Sequence, residues 1–254
     1  MIVFTDLDGT LLDHETYSAE AARPALDRLR ILGVPVIPAT SKTAAELGPL
    51  MRELGLSGPA IVENGAGLML NGSGDSERSD YTAIRAALEA LPGSLGAQFT
   101  GFGDLTDAEV SALTGLGPDA ARRARNRQFS EPGLFSGSAD EQDAFVAALS
   151  AAGISAVAGG RFLTLSRGAS KADRMAEVIA RLGATPPVIA LGDAPNDITL
   201  LQAADTGIVV SNPAHAPLPE LAGEREGRIR RTLLPGPAGW NAAMLDIIGR
   251  TAEP

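Results

Sequence analysis

The sequence predicts an α/β protein: a doubly wound, Rossmann-like parallel-sheet core with an inserted α+β cap domain. Three observations carry this. Short apolar runs alternate with helical periodicities at both ends of the chain, as right-handed βαβ units require. That alternation breaks over residues 81–166. Carboxylate clusters follow two of the apolar runs, where open α/β sheets place their ligands.

In order, Ile2 to Thr5 is apolar and reads as a buried parallel strand. Ser18 to Leu32 has helical spacing, with Ala22, Leu26 and Leu29 on one face and Gly33 as a stop. Val34 to Ala39 is the next strand, Thr43 to Leu54 a helix closed by Gly55, and Ala60 to Glu63 a third strand. Asn71 to Asp80 is rich in Gly and Ser and marks a boundary. The insert then reads as a helix from Tyr81 to Leu91, a strand near Gln98 to Gly103, and one helical stretch from Asp107 to Arg125. A strand around Pro132 to Ser136, a helix from Asp140 to Ala152, and strands near Ile154 to Ala158 and Arg161 to Ser166 complete it. The βα rhythm resumes with helix Lys171 to Leu182, strand Pro187 to Leu191, helix Asp197 to Ala203 and strand Gly207 to Val210. The expected domains are residues 1–80 with 167–254 as core and 81–166 as cap.

Bulk properties narrow the function. The 254 residues are 44% hydrophobic, enough for a sizeable core. A net charge of −10 argues against nucleic acid as a partner. The chain has no cysteine, so thiolate metal sites and cysteine-based phosphate chemistry are excluded. Its two histidines, His14 and His215, are too few for a histidine-rich zinc centre and read as surface loop residues. Neither a signal peptide nor a membrane span is visible, so the expected location is cytoplasmic. An anionic substrate must therefore meet a local positive site or a metal.

The first chemical cluster is Asp6-Leu7-Asp8-Gly9-Thr10. Alternate residues of an extended segment share a side, so Asp6 and Asp8 can converge. Converging carboxylates repel unless a proton or cation lies between them, and Mg²⁺ is the natural oxygen-seeking choice. The competing reading is a helix cap or a solvated turn. The second cluster is Gly192-Asp193-Ala194-Pro195-Asn196-Asp197, which supplies a third carboxylate, Asp193, at the same edge. Asn196 and Asp197 open the next helix, where they cap it or support the metal ligands.

Among 21 basic residues only Lys42 and Lys171 are lysines. Lys42 follows the second strand and Lys171 opens the helix that re-enters the core. A compact ammonium can touch a phosphoryl oxygen and a carboxylate together, whereas a guanidinium forks. With Thr40 as a hydroxyl donor, Lys42, Lys171 and Mg²⁺ form the electrostatic clamp that phosphoryl transfer needs.

These motifs in this order resemble the haloacid dehalogenase superfamily: Asp6-x-Asp8, Thr40, Lys171 and Gly192-Asp193-x-x-Asn196-Asp197. The insert looks like the larger α/β cap of its sugar-phosphatase branch. A narrower resemblance, to the mannosyl-3-phosphoglycerate phosphatase family, rests on several stretches. They are Thr40-Ser41-Lys42-Thr43, Ile61-Val62-Glu63-Asn64-Gly65, Gly101-Phe102-Gly103-Asp104-Leu105-Thr106, Arg127-Gln128-Phe129-Ser130-Glu131, Gly159-Gly160-Arg161-Phe162 and Gly236-Pro237-x-Gly239-Trp240. The resemblance implies hydrolysis of 2-mannosyl-3-phosphoglycerate to mannosylglycerate, a compatible solute.

It also implies Asp6 as nucleophile, Asp8 as general acid and base, and Asp6, Asp8 and Asp193 as Mg²⁺ ligands. Among the cap's arginines, Arg122 and Arg123 read equally well as a solvated face, while Arg127 is the better candidate for a substrate carboxylate. Glu63 and Asn64 bind sugar hydroxyls or fix a hinge. Trp240 reads as a core anchor. The expected partner is a small anionic sugar phosphate, with the protein a monomer or homodimer. The competing functions are hydrolysis of the glucosyl analogue or another sugar phosphate, a phosphomutase, and a catalytically silent binding protein.

Overall fold

A computed structural model of the chain describes residues 1–70, 79–159 and 161–252. Strand β1 (Ile2–Thr5) leads through a 3-10 turn at Glu20–Ala22 to helix α1 (Arg23–Ile31). Then come β2 (Val36–Pro38), α2 (Ala44–Leu54), β3 (Ala60–Val62) and β4 (Gly67–Met69). Next are α3 (Ser79–Glu89), α4 (Gly93–Gly96), β5 (Phe99–Gly101), α5 (Asp107–Thr114) and α6 (Pro118–Arg125). They are followed by β6 (Ser130–Phe135), α7 (Ala139–Ala151), β7 (Ser155–Gly159) and β8 (Phe162–Ser166). The chain finishes with α8 (Lys171–Leu182), β9 (Val188–Gly192), α9 (Ile198–Ala203), β10 (Thr206–Ser211), β11 (Ile229–Pro235) and α10 (Gly236–Ala252).

The chain divides into two compact units. The first holds Met1–Ser41, Met51–Gly72 and Ser170–Pro254; the second holds Lys42–Leu50 and Ser73–Ala169. The first is built on a parallel sheet in the order β11-β10-β9-β1-β2. Its interior strand β1 is buried along its whole length, which is why Ile2-Val3-Phe4 is a continuous apolar run and not an alternating one. Ile2, Phe4, Ile37, Ala190 and Val209 pack with Met175 and Val178 of α8 and Leu200 and Leu201 of α9. Trp240 is fully buried on α10, and its Nε1 donates to Thr5 Oγ1 at 2.9 Å. The core-anchor expectation for Trp240 therefore holds.

The second unit carries an antiparallel sheet in the order β5-β6-β8-β7. Phe99 and Phe145 stack at 5.4 Å within its core, beside Ile84, Leu149 and Leu165.

Three sequence expectations need correction. The stretch from Asp107 to Arg125 is two helices, because Gly115 takes a left-handed φ of 81° and ends α5 before Pro118 opens α6. The third strand meets the segment just past β2 through an Ala39–Ile61 bridge and pairs antiparallel with β4, a strand not anticipated. Strand β11 and helix α10 were not anticipated either. The boundary placed at Asn71 to Asp80 lies mostly outside the described residues, with only Ser79 and Asp80 seen at the start of α3.

Candidate active site

Three loops and one helix start of the first unit build the site. Asp6 leaves the end of β1 with its backbone N–H on Leu191 O of β9. Lys171 is the first residue of α8, placed there by a reciprocal cap. Asp173 N donates to Ser170 Oγ, and Ser170 N donates to the Asp173 carboxylate. Lys171 Nζ donates to Asp6 Oδ1 at 2.8 Å and to Asp197 Oδ1 at 2.6 Å, with the lysine and Asp197 side chains wholly buried. Asp197 Oδ2 accepts from the backbone N–H groups of Asp193 and Ala194, both at 3.1 Å. A side chain at position 192 would strike Asp197 Cβ and Cγ at 2.5 Å, so glycine there lets Asp197 fold back over the strand end.

Asp193 is held on both oxygens. Oδ1 accepts a short hydrogen bond from Thr10 Oγ1. Oδ2 accepts from Asn212 Nδ2 at 2.9 Å and lies 2.9 Å from His215 Nε2. His215 Nδ1 faces Ala216 O at 3.0 Å. The Ala216 carbonyl and then the Asp193 carboxylate favour the protonated ring and raise the His215 pKa. The expectation of two surface loop histidines holds for both, His14 and His215 being exposed, and His215 in addition meets Asp193.

Electrostatics ask for one more cation. Carboxylate oxygens of Asp6, Asp193 and Asp197 lie within 4.8 Å of one another, and all three residues are buried. Burial, with Asp197 and Asp193 adding to it, pushes Asp6 up to about 8 despite the Lys171 ammonium. Burial opposes the charge on Lys171, but Asp197 and Asp6 outweigh it and hold its pKa above the ordinary lysine value. One ammonium thus faces three carboxylates. Among the described residues nothing donates to Asp6 Oδ2, and that side chain keeps 10% of its surface exposed. An all-oxygen donor set with spare acceptor capacity and excess negative charge fits a hard metal cation.

The gathered trio contains Asp197 where the sequence reading had Asp8. Asp197 is already engaged by Lys171 and two amides. Asp8 is half-buried and bridges to Leu12 in the turn after β1. Thr40 is buried in the first unit, its N–H on Ile61 O and its carbonyl accepting from Asn64 N, both at 2.9 Å. Glu63, Asn64 and Gly65 run consecutively through positive φ values of 52°, 60° and 92°. This turn presses on the start of α8: a Cβ on Gly65 would lie 2.4 Å from Lys171 N. Asn196 Nδ2 donates to Asn64 Oδ1 at 2.8 Å, tying the turn to the Asp193 loop.

Lys42 and Arg127 belong to the second unit and are both half-buried. Arg127 donates to Ser130 Oγ at 2.7 Å. Arg122 and Arg125 both pair with Asp107 and so join α5 to α6. The sequence reading gave Thr10 and Asn212 no role of their own and took His215 as a surface residue. The one local signal was Asn212-Pro213, an Asx-turn dipeptide at the end of a buried strand.

The model of the haloacid dehalogenase-like hydrolase family matches residues 3–80 and 139–220. The glucosyl-3-phosphoglycerate/mannosyl-3-phosphoglycerate phosphatase of Methanococcoides burtonii is 37% identical, over 98% of this chain and 97% of its own. The protein of the same name from Persephonella marina is 33% identical over the same shares. Among solved structures, the sucrose-phosphatase of Synechocystis aligns with a TM-score of 0.63 at 16% identity, covering 98% of this chain and 97% of that one. A haloalkanoate-superfamily phosphatase of Bacteroides thetaiotaomicron aligns with a TM-score of 0.64 at 18% identity, covering 98% and 94%. With a carboxylate-lined parallel-sheet edge and near-full-length similarity to named phosphatases, the chain belongs to the haloacid dehalogenase-like hydrolases.

Proposed function

We propose that the protein is a Mg²⁺-dependent phosphomonoester hydrolase that releases phosphate from mannosyl- or glucosyl-3-phosphoglycerate through a phosphoaspartate on Asp6. The observation that carries the chemistry is the engagement of Asp6 Oδ1 by buried Lys171 while Oδ2 has no donor among the described residues. The substrate class is supported by the names of the two full-length relatives.

Asp6 Oδ2 attacks phosphorus, and the bond to the glycerate oxygen breaks. Asp8 gives that oxygen its proton, then takes one from the water that hydrolyses the phosphoaspartate. Lys171 fixes the direction of Asp6, and Asp197 fixes Lys171. Thr40 and Lys42 neutralise phosphoryl oxygens. Asp6, Asp8 and Asp193 would hold Mg²⁺, which would supply positive charge to offset repulsion between Asp6 and the phosphate dianion. Asn196 and Asp197 support that set. Residues 81–166 act as a cap that excludes water. Within it Arg127 binds the glycerate carboxylate, while Glu63 and Asn64 meet sugar hydroxyls.

Phosphate release from both glycosyl phosphoglycerates, with Mg²⁺ and a generic aryl phosphate as comparator, tests this. Asp6→Asn should abolish turnover and keep the fold. Residual turnover in that variant sinks the nucleophile. Hydrolysis of the aryl phosphate alone sinks the substrate class.

A further inference from the structure

The loop after β10 contributes two side chains to the site that neither the motifs nor the mechanism above use. Asn212 sits one residue past Ser211, the end of the strand. Its Oδ1 accepts from Ala214 N at 3.0 Å, closing an Asx turn. That contact identifies the oxygen of the amide, so Nδ2 is the group aimed at Asp193. The same turn carries His215 to the opposite flank of the same carboxylate oxygen. His215 is anchored at its far nitrogen by Ala216 O, so the ring cannot swing without breaking a second contact.

The approach is steric as well as polar. Gly9 has φ of 82°, and a Cβ there would lie 2.2 Å from Asn212 Nδ2 and 3.1 Å from Asp193 Oδ2. Gly9 therefore leaves the space through which Asn212 reaches the carboxylate. A carboxylate offers about four lone-pair sites. Asn212 and His215 fill both on Oδ2, and Thr10 takes one on Oδ1. Acceptor capacity remains only on Oδ1.

We infer that His215, together with Asn212, is a positioning residue for the metal ligand Asp193: it locks the carboxylate so that Oδ1 alone is presented to Mg²⁺. This rests on the metal-dependent reading above. Groups that orient ligating carboxylates in this way typically govern metal affinity by about tenfold to a hundredfold. His215 also lines a cavity of about 310 Å³ shared with Asp193, Asn212 and Thr232, and its side chain is 35% exposed. A small molecule can therefore reach the place its ring would vacate.

The experiment is Mg²⁺ titration of the full chain by calorimetry, for wild type, His215→Ala and His215→Gln, with melting in chelator alongside. His215→Ala should weaken Mg²⁺ binding about tenfold to a hundredfold, and His215→Gln, which keeps an N–H donor, by less. Melting in chelator should stay close to wild type for both, because the contact is at the edge of the fold. Imidazole should restore part of the affinity of His215→Ala and leave wild type unchanged. Unaltered or tighter Mg²⁺ binding in His215→Ala overturns the inference. So does a large loss of metal-free stability with wild-type Mg²⁺ affinity. Wild type that binds no Mg²⁺ overturns the underlying metal assignment instead, so the two failures are distinguishable.

Discussion

Lys171→Met tests the centre most directly, because it removes one charge and little volume. Lys171 is 1% exposed and makes both of its contacts to carboxylates, Asp6 at 2.8 Å and Asp197 at 2.6 Å. Breaking a buried ion pair from one side costs about 3–5 kcal/mol, since the partner charge stays buried and unpaired. Here two partners are stranded, although Asp197 keeps two backbone amides. At about 2–4 °C per kcal/mol for a chain of this size, the melting temperature should fall by roughly 6–20 °C. Two units need not unfold together, so the probe must report on one of them. Trp240 is the only tryptophan and lies buried in the first unit, so its fluorescence in chelator isolates the transition that matters. Lys171→Met with Asp197→Asn should melt higher than the sum of the single losses allows, because the double change removes both ends of one pair. A fall below about 1 kcal/mol in Lys171→Met, the scale of an exposed pair, refutes the view that this lysine neutralises a desolvated acidic centre. So does strict additivity in the cycle.

Three further outcomes follow from other features. Gly65→Ala should cut turnover about tenfold to a hundredfold, because its Cβ would sit 2.3 Å from Ser170 C and displace Lys171; Gly55→Ala, at positive φ with open space around it, should leave turnover unchanged in the same assay. Burial raises the Glu131 pKa, despite donation from Tyr81 and Gly103. The folded protein thus holds that proton more tightly than the unfolded one, and stability falls as pH rises from the ordinary glutamate range through the raised value. Denaturation across that window should show Glu131→Gln gaining on wild type as pH increases; parallel curves would refute it. Arg127→Ala should lower kcat/KM about tenfold to a hundredfold for a glycosyl phosphoglycerate, the scale of one charged hydrogen bond at 1.5–3 kcal/mol, and barely alter hydrolysis of an aryl phosphate. Equal losses on both would assign it a structural role.

Much of this centre is legible in the chain because its residues sit at punctuation marks. Asp6 and Asp193 end apolar runs, and Ser170 announces the helix that Lys171 opens through a local capping pattern. Each depends on neighbours a few residues away, which is the range that sequence patterns carry. Thr10, Asn212 and His215 meet on Asp193 from the loops after two different strands, so no local pattern announces their joint role. Strand β11 was missed because Ile229-Arg230-Arg231-Thr232 is charged and buries only its isoleucine, unlike the buried strands of the same sheet. Helix α10 opens Gly-Pro-Ala-Gly, residues that argue against helix until Trp240 pins it. The break between α5 and α6 was legible in Gly115-Leu116-Gly117-Pro118, but the alanines and arginines that follow continue a helical pattern and hide it.

The buried hydrogen bond from Trp240 to Thr5 has a consequence for how the protein is made. Strand β1 is joined early by β2, yet its other neighbour β9 begins at Val188 and the tryptophan that covers β1 comes later still. Asn241 Oδ1, which accepts from Ala25 N at 2.9 Å, repeats the arrangement on α1. Nearly all of the second unit, by contrast, is drawn from one contiguous stretch already synthesised by then. During translation that unit can therefore be complete while β1 still lacks β9 on one side and its cover. A nascent chain halted before Trp240 should expose the apolar face of β1 to chaperones, and release of α10 is the step that covers it.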